Sequence, residues 1–537
     1  MKKTIILISS MLFSCVMAMA QENGYVSASL ESTSHFYVED QANNFKPEDG
    51  GLYAGNNYLK VDYYKGKFSA GTQLEGYFPH LIGYPDNLSK LSLSNLYANW
   101  RDDSFSVTVG SFYDQFGSGL LFRSWEDRAL GLNNALVGAR ATYDYKDYVS
   151  MKVLWGIPRL GTGNDNGKFF GLGFSKVNVA GADLSISLSE IFSMEDITLS
   201  VEGSVLNKHE SLPAEYAEMG YSPNILGWSG RVNFDYDGFF AKGEYVDAGK
   251  SVNFFSGPQK GNAQLVEIGY NGRGLGVTMT GRRLEKMTQK LCSYNMGGFT
   301  PTNNLLSYIP AMSTQYTYML TTLNPYSPEI GEMRYNGEVG GQIDAFYNFR
   351  RGTALGGKRG MKVHANFATY YSLLDEYNTE RAMLFRDFSF DVEKQWTKKF
   401  KSTLLYSMQN YNKNHVNNGV YIGLSHIVVA DLLYKFTSKF STRMELQYLA
   451  SKDDQKDWMA GLIELNFAPH WSVFASDMYN HGESKLHYYN GGVSYAINHL
   501  RVAAGYGRYR AGFICSGGVC RAIPAYTGAN LTLTASF

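Results

Sequence analysis

The feature that most constrains this chain is the strict alternation of apolar and polar residues, repeated in segment after segment. A period of two indicates β-strands whose two faces meet different surroundings. Before the turn Thr397-Lys398-Lys399, one face carries Phe388, Phe390 and Val392 and the other Ser389, Asp391 and Glu393. A charged face in every strand is either the solvent face of a β-sandwich or the water-filled lumen of a membrane barrel.

Aromatic residues distinguish these two folds. Short polar turns recur along the chain, and most have an aromatic residue on each side. A ring of aromatics at one end of a sheet is typical of the membrane interface of a barrel, and a soluble sandwich has no need of it. The flanking pairs are Tyr64 and Phe68, Trp100 and Phe105, Tyr236 and Phe239, Trp396 and Phe400, Phe436 and Phe440, and Phe467 and Trp471.

Short turns also alternate with long, irregular connections, as in an up-and-down barrel. We count 24 alternating segments, within a range of 22–26, and interpret Phe169 to Val177 as loop. The prediction is an all-β, antiparallel, up-and-down transmembrane β-barrel with short periplasmic turns and long extracellular loops. An even strand number places both termini on the periplasmic side.

The last segment closes the barrel in this interpretation. Leu531, Leu533, Ala535 and Phe537 alternate with polar residues. We expect these four to face lipid and the segment to pair with the strand around Tyr25 to Thr33, which removes the sheet edge. Phe537 is the predicted recognition residue for membrane insertion.

The first twenty residues resemble a targeting segment. Lys2 and Lys3 precede a short apolar core, and Ala18-Met19-Ala20 resembles a cleavage site. We predict a signal peptide at 1–20 and a single barrel domain at 21–537, with no N-terminal plug. An alternative is a lipoprotein acylated at Cys15. Apolar runs elsewhere are too short for a transmembrane helix.

Composition narrows the function classes. The chain has 49 Lys plus Arg and 49 Asp plus Glu, so its charge gives no reason to expect a nucleic-acid partner. Tyr, Phe and Gly are abundant at 40, 32 and 56 residues, which favours an all-β fold. We find no enzyme motif and expect no enzymatic activity, no cofactor and no metal.

Three cysteines remain in the mature chain. Cys515 and Cys520 flank Ser-Gly-Gly-Val, a spacing that a loop disulfide can close in an oxidising compartment. Free thiols or metal ligands are the alternatives. Cys292 has no obvious partner, and its redox state stays open.

Two loops could carry function. The loop after the fifth strand presents Arg123, Glu126, Asp127 and Arg128 close together. We expect it to fold into the barrel, either as a constriction with a transverse field or as a loop held to the wall by its charges. The loop at 287–337 is too long for a passive connection, and its aromatics could bind a ligand or cap the pore.

Strand residues should line the lumen. One of Arg282 and Arg283 must face inward and the other the lipid headgroups, and we include both with Arg443 and Glu445 among the candidate pore residues. Further lumenal candidates are Lys242, Glu244, Asp344 and Glu464.

Several blocks resemble an uncharacterised outer-membrane β-barrel family of the Bacteroides group, a domain of unknown function. The resemblance implies the fold and the outer-membrane location, and it transfers no functional residue. The blocks are Phe-Tyr-Asp-Gln-Phe-Gly-Ser-Gly-Leu at 112–120, Glu-Asp-Arg-Ala-Leu-Gly at 126–131, Arg-Arg-Leu-Glu at 282–285, Tyr-Ile-Pro-Ala at 308–311 and Cys-Arg-Ala-Ile-Pro-Ala at 520–525.

Two functions remain open at this stage. The first is a pore or channel for small polar solutes. The second is a partner-binding barrel, an accessory or scaffold component of an outer-membrane export or assembly complex. Expected partners are outer-membrane lipid, the barrel-assembly machinery during insertion, and other envelope proteins for the second function.

Overall fold

The computed structural model shows 24 antiparallel strands joined edge to edge into a closed barrel. It describes residues 24–48, 51–86, 88–162, 172–251, 259–287, 290–294, 304–324, 326, 336–374, 379–412, 422–453 and 455–537. The predicted signal peptide therefore lies outside the described residues. The barrel strands are β1 (Tyr25–Tyr37), β2 (Tyr53–Lys65), β3 (Phe68–Tyr77), β4 (Lys90–Arg101), β5 (Phe105–Phe112), β6 (Leu136–Tyr145), β7 (Val149–Thr162), β8 (Asn178–Ser187), β9 (Ile197–His209), β10 (Asn224–Tyr236), β11 (Phe239–Ser251), β12 (Gln259–Gly272), β13 (Leu275–Glu285), β14 (Gly337–Phe349), β15 (Met361–Ser372), β16 (Met383–Gln395), β17 (Phe400–Asn412), β18 (Ile422–Lys435), β19 (Phe440–Ser451), β20 (Trp458–Phe467), β21 (Trp471–Asn480), β22 (His487–Ile497), β23 (Leu500–Tyr509) and β24 (Tyr526–Ser536).

Each strand pairs with its neighbours in sequence, and β24 pairs with β1. Their register runs from Ser29 opposite Ser536 to Tyr37 opposite Gly528. Beyond Ser536, Phe537 exchanges backbone hydrogen bonds with Ala28, at 2.8 and 3.0 Å. The predicted up-and-down barrel and its closure by the last strand are confirmed.

The two ends of the barrel differ, and we name them by their connections. At the turn end, nine of the eleven connections have at most four residues. The two longer ones are residues 188–196, which contain helix α1 (Leu188–Ile191), and residues 350–360. The other end, the loop end, carries the twelve long connections, one of which contains helix α2 (Ala214–Glu218).

Two predicted strands end earlier in the structure than the alternation indicates. The fifth strand ends at Phe112 rather than residue 116, because the chain turns away there and Asp114–Phe116 pairs with Phe122–Ser124 instead. The eighth ends at Ser187 rather than 192, because Ser189 accepts the N–H groups of Leu199 and Met194 and a helical turn replaces the ladder. Leu172–Phe174 pairs only with the far end of β7, so the prediction that this stretch adds no barrel strand is confirmed.

The two faces of the wall follow the alternation in the sequence. Large apolar side chains on the outer face, such as Val232, Ile268, Leu404 and Ile463, are 45–55% exposed. Polar side chains such as Arg231, Glu244, Glu445 and Gln447 point inward and are buried. An apolar outer belt around a polar interior is the architecture of outer-membrane barrels. Among the described residues, no helix is long and apolar enough to cross a membrane.

Candidate functional site

Long connections fold back from the loop end into the lumen and pack against one another. We call these four segments the plug. Because their backbones would otherwise leave polar groups without partners inside the barrel, they bond to each other and to inward side chains of the wall. The plug consists of residues 78–86, 88–89, 113–135, 304–324 and 510–525, with the first two ranges forming one segment.

Backbone hydrogen bonds join three of these segments to one another. The last segment forms a hairpin, Gly512–Ser516 with Val519–Ile523, whose tip reaches the third segment. Gly517 at the tip has a φ of +60°, and a Cβ there would lie 2.2 Å from the Tyr308 ring. Glycine therefore permits this close approach. The bonds are Arg123 N to Leu306 O (2.7 Å), Tyr308 N to Gly119 O (2.8 Å) and Ile309 N to Gly517 O (3.1 Å).

Arg123 lies at this junction. Its guanidinium carbon is 3.9 Å from the centre of the Tyr308 ring and 5.2 Å from that of Trp125. The two rings meet edge to face at 5.7 Å. A cation between two aromatic faces in a partly desolvated place contributes about 0.5–2 kcal/mol per contact. Arg123 thus connects two plug segments.

The plug has an apolar core of its own. Phe116, Leu120, Leu121 and Phe122 are completely buried. They pack on inward apolar residues of several wall strands and on Leu306 of the third segment. Burying a side chain of this size stabilises by about 1.5–3 kcal/mol. These segments are therefore held as a packed body.

The other charged residues predicted in the loop are paired. Arg128 lies 2.5 Å from Glu31 of the wall and 3.3 Å from Glu126, with its guanidinium over the Tyr58 ring at 4.4 Å. Asp127 accepts the backbone N–H of Leu130 at 3.0 Å. Through these contacts, the charged side chains of this segment hold it against the wall.

A buried ion pair lies beneath that segment. Arg159 of β7 and Glu75 of β3 are both 2% exposed, and two hydrogen bonds of 3.1 and 2.8 Å join them. With Tyr58, Glu126 and Arg128 they line a small cavity between plug and wall. The sequence shows an inward Arg and an inward Glu, but their pairing along the curved wall, between strands four apart, depends on barrel geometry. Sequence reasoning missed it for that reason.

Arg282 and Arg283 point to opposite faces, as their neighbouring positions on β13 require. Arg282 is buried against Glu338, at 2.5 Å, and also donates to the carbonyl of Pro310 in the plug. Arg283 pairs on the outer face with Glu285 at 2.8 Å and with Asn262. Arg283 therefore does not line the lumen, because alternation along the strand turns it outward.

Residues 312–324 of the plug run along the wall, and we call them the strap. The strap touches successive strands from β14 to β20, so it follows the inner circumference. Leu320 at its far end is fully buried among wall residues that include Leu405, Ile427 and Trp458. The tethers are Tyr370 Oη to Met312 O (2.8 Å), Thr314 Oγ1 to Asp344 (3.3 Å), Tyr316 Oη to Asp391 (2.7 Å), Tyr318 Oη to Asp431 (3.2 Å), Leu320 N to Gln447 Oε1 (3.0 Å) and Gln409 Nε2 to Thr321 O (3.1 Å).

A histidine supports one of these tethers. His364 Nε2 is 2.8 Å from Asp344 Oδ2, and Nδ1 is 2.7 Å from Asp391 Oδ2. With a carboxylate at each ring nitrogen, the arrangement suits a doubly protonated imidazolium that donates both N–H groups. His364 lies opposite Asp391 in the strand register, a relationship that the sequence does not reveal without the ladder.

Between the strap and the turn end, the lumen is lined by partly exposed charges, and we call this space the vestibule. Arg443 bonds to Asp431 at 3.0 Å and to Glu445 at 2.5 Å. Elsewhere Lys242 pairs with Glu267 and Lys401 with Glu393, at 3.4 and 2.7 Å. Both signs of charge therefore face the water in the vestibule.

The cysteines lie in the loop-end connections. Cys515 and Cys520 form a disulfide across the hairpin of the plug. Cys292 is buried, and its thiol donates to Glu210 Oε1 at 2.7 Å. The same carboxylate accepts the N–H groups of Ser293 and Tyr294, and burial raises the pKa of the Tyr294 hydroxyl to about 12. Among the described residues, no three His, Cys, Asp or Glu side chains converge to hold a metal ion.

Comparison with known proteins places the chain in a family. Residues 1–537 match the model of DUF6029, described as a family of unknown function, and the chain belongs to that family. No curated protein matches it.

Solved structures with a similar fold are distant. The siderophore receptor PirA from Pseudomonas aeruginosa has 9% identity and a TM-score of 0.43, over 95% of this chain and 80% of its own. The translocation pore of the P pilus usher PapC has 9% identity and a TM-score of 0.41, over 95% and 99%. The copper transporter OprC has 9% identity and a TM-score of 0.40, over 96% and 80%.

Proposed function

We propose that this DUF6029 member is an outer-membrane channel for small polar solutes that its own plug keeps closed. The observation that carries the proposal is the vestibule, whose charged wall leads inward and stops at loops of the same chain. A lumen lined by charges that reach water is suited to passing polar solutes. The proposal assigns no catalytic step to the protein.

We place the barrel in the outer membrane with the turn end and both termini on the periplasmic side. Short connections at one end and long ones at the other support this orientation. The resemblance of the sequence blocks to a Bacteroides-group family supports the same location. In this arrangement the barrel meets outer-membrane lipid, and the barrel-assembly machinery inserts it.

The charges of the vestibule support a solute without strong net charge. Arg443, Lys242 and Lys401 each lie beside a carboxylate, so their fields cancel within a short distance. Paired charges orient a dipole and exclude neither cations nor anions by net repulsion. We therefore propose polar or zwitterionic solutes.

Opening requires the strap to leave the wall. Each of its hydrogen bonds contributes about 0.5–1.5 kcal/mol, and more where the acceptor is a carboxylate. Leu320 adds a buried apolar contact of about 1.5–3 kcal/mol. Strap release then costs several kcal/mol, so the closed state dominates unless something binds the strap or weakens its tethers.

Conductance across a planar bilayer tests the proposal. We expect the wild-type protein to be closed most of the time and Leu320→Ala with Tyr316→Phe to open more often. Proteoliposomes carrying the double variant should also admit small polar solutes faster. Leu323→Ala is the matched control, because Leu323 is only partly buried in the same strap.

Two outcomes would count against a channel. One is a strap variant that inserts correctly yet never conducts. The other is equal conductance in the wild type, the strap variant and the control, because the strap would then not govern the lumen.

Four successive connections at the turn end, residues 272–275, 349–361, 394–400 and 435–440, contain ten cationic residues and no Asp or Glu. This rim favours a second candidate, a barrel that binds a partner in an envelope complex. This role predicts that another envelope protein co-purifies with the barrel at fixed stoichiometry in mild detergent. Such a role is compatible with a closed lumen.

A further inference from the structure

Acidic and basic residues occupy different parts of the rim at the turn end of the barrel. Strands β4 to β11 are joined by four connections in which carboxylates dominate, and we call these the acidic arc. The arc holds nine carboxylates against Arg101 and Lys146, and one of the nine, Asp102, also pairs with Lys67 of the neighbouring turn at 2.5 Å. The carboxylates are those of Asp102, Asp103, Asp144, Asp147, Glu190, Glu195, Asp196, Asp235 and Asp237.

The next four connections, which join β12 to β19, have the opposite sign, and we call them the basic arc. Residues 272–275, 349–361, 394–400 and 435–440 contain ten cationic residues and no Asp or Glu. Within the described residues, none of these ten forms an ion pair. The cations are Arg273, Arg350, Arg351, Lys358, Arg359, Lys394, Lys398, Lys399, Lys435 and Lys439.

The connections of the basic arc are braced against one another. Lys394 Nζ donates to the carbonyl of Leu355, and Lys399 Nζ donates to that of Phe436, both at 3.0 Å. Each bond joins one turn to the next. A braced rim loses less conformational entropy when a partner binds.

The two long connections of the turn end fall one in each arc. Residues 188–196 belong to the acidic arc and residues 350–360 to the basic arc. Each exposes a large apolar side chain, Phe192 at 65% and Leu355 at 56%. A protein partner could bury these two residues while its charges meet the arcs.

Eight strands lie along each arc, so each spans roughly 40 Å of circumference at about 4.8 Å per strand. This length exceeds the Debye length of about 8 Å at physiological ionic strength. Each arc therefore acts on a partner locally, and the two do not cancel each other.

A lipid surface would not explain this division. Lipid surrounds a barrel on all sides, so cations that only anchor headgroups would be expected around the whole rim. In this rim the acidic arc would repel the same anionic headgroups that the basic arc attracts.

We propose that the turn end is a docking surface for a periplasmic protein that presents an acidic segment to the basic arc and a basic segment to the acidic arc. The partner would cover the mouth of the vestibule in one orientation. This inference does not depend on conduction through the lumen. The docking proposal can therefore fail while the channel proposal holds, and the channel proposal can fail while the docking proposal holds.

A labelled glutamate-rich peptide is the first probe, added to the full-length protein in phosphatidylcholine nanodiscs. We expect binding that weakens as salt rises. Replacing Lys398, Lys399 and Lys439 by Glu should weaken it roughly tenfold, because like charges then face each other. The control carries Lys65→Glu and Arg501→Glu in the remaining third of the rim and should bind like the wild type. Lys67 is left in place because it pairs with Asp102 of the acidic arc at 2.5 Å.

The second probe joins the glutamate-rich peptide to a lysine-rich one through a flexible linker that can span both arcs. It should bind more tightly than either peptide alone, since the second contact becomes intramolecular. Glu195→Lys with Asp196→Lys should remove this gain and leave binding of the glutamate-rich peptide intact.

Two results would overturn the proposal. One is equal binding of the first probe by the wild type and the basic-arc variant. The other is absence of peptide binding by the wild type. If the wild type then retains phosphatidylglycerol and the basic-arc variant does not, the arc is assigned to lipid headgroups.

Discussion

Arg282 and Glu338 meet on adjacent strands with both side chains at 0% exposure, Nη2 of one 2.5 Å from Oε1 of the other. The same guanidinium donates to Pro310 O and lies over the Tyr370 ring at 5.3 Å. One side chain thus joins strand β13, strand β14 and the plug segment just before the strap. Arg282 and the Tyr326 hydroxyl donate to the two carboxylate oxygens of Glu338, whereas Arg282 Nε has no hydrogen-bond partner among the described residues. The pairing offsets part of the cost of burying both charges.

Removing one partner should be costly. Arg282→Ala leaves Glu338 buried and uncompensated, and we expect a loss of about 3–5 kcal/mol in the free energy of unfolding. Arg283→Ala is the control, since its exposed pair contributes at most about 1 kcal/mol. Denaturant titration of the folded barrel in detergent measures both. Equal losses in the two variants would contradict the role given to Arg282.

Reduction should loosen the plug. The disulfide between Cys515 and Cys520 closes a loop with a sequence separation of 5, and such a short loop contributes about 2 kcal/mol in the chain-entropy account. We expect a reducing agent to increase hydrogen exchange in residues 512–523. The variant with both cysteines replaced by serine should exchange fast without reductant and not respond to it. A reductant effect that persists in this variant would exclude the disulfide as its cause.

Gly517 offers a substitution confined to the plug. Gly517→Ala places a Cβ against the Tyr308 ring at a positive φ, a conformation that costs about 1–2 kcal/mol for other residues. The hairpin tip should withdraw and residues 304–312 should become sensitive to protease, while the barrel itself stays folded. Gly512→Ala in the same hairpin has open space around its Cβ and should have no effect. Unchanged protection in Gly517→Ala would show that the tip contact does not hold the segment.

Acid should release the first loop. Hydrogen bonds from Arg508 and Thr527 hold the pKa of Asp40 below its ordinary value of 3.8. The carboxylate therefore stabilises the loop above pH 3.8, and that stabilisation is lost as the pH falls through the lowered pKa. Hydrogen exchange of residues 38–48 should rise in this acid range. Asp40→Asn should exchange fast at neutral pH and lose the acid dependence, and an unchanged profile in that variant would refute the assignment.

Deleting Phe537 should impair assembly. The deletion removes both backbone hydrogen bonds to Ala28 and an aromatic side chain that is 73% exposed on the outer face. Heat modifiability on gels measures the folded fraction. Phe537→Ala keeps the backbone bonds, so it separates their contribution from that of the ring. Normal insertion of the deletion would contradict a role for this residue in recognition.

Much of the barrel was predictable because alternation is a local property. The alternation within Phe388 to Val392 and within Met444 to Tyr448 indicates which face of each strand meets lipid. The short turns between such segments make neighbouring strands antiparallel. The closing pair of strands followed for the same reason.

The plug was not predictable from the same patterns. The contact of Arg159 with Glu75 joins residues on β7 and β3 across the curved wall, and the bond of Tyr316 to Asp391 joins a loop to a strand far away in sequence. No periodic pattern in the sequence indicates which residues so far apart in the chain will be in contact. Charges in the loop at 117–131 indicated pairing, but Glu31 as the partner of Arg128 follows only from the closed shape.

The position of the disulfide hairpin has a consequence for biogenesis. It connects the last two strands, yet Arg521 reaches the carbonyls of Ala129 and Gly83, 392 and 438 residues earlier in the chain. Contacts so remote in sequence form late. If the plug closes the lumen as proposed, we expect closure to be complete only once the final hairpin has entered. An assembly intermediate with an unpaired last strand should then be permeable to small solutes.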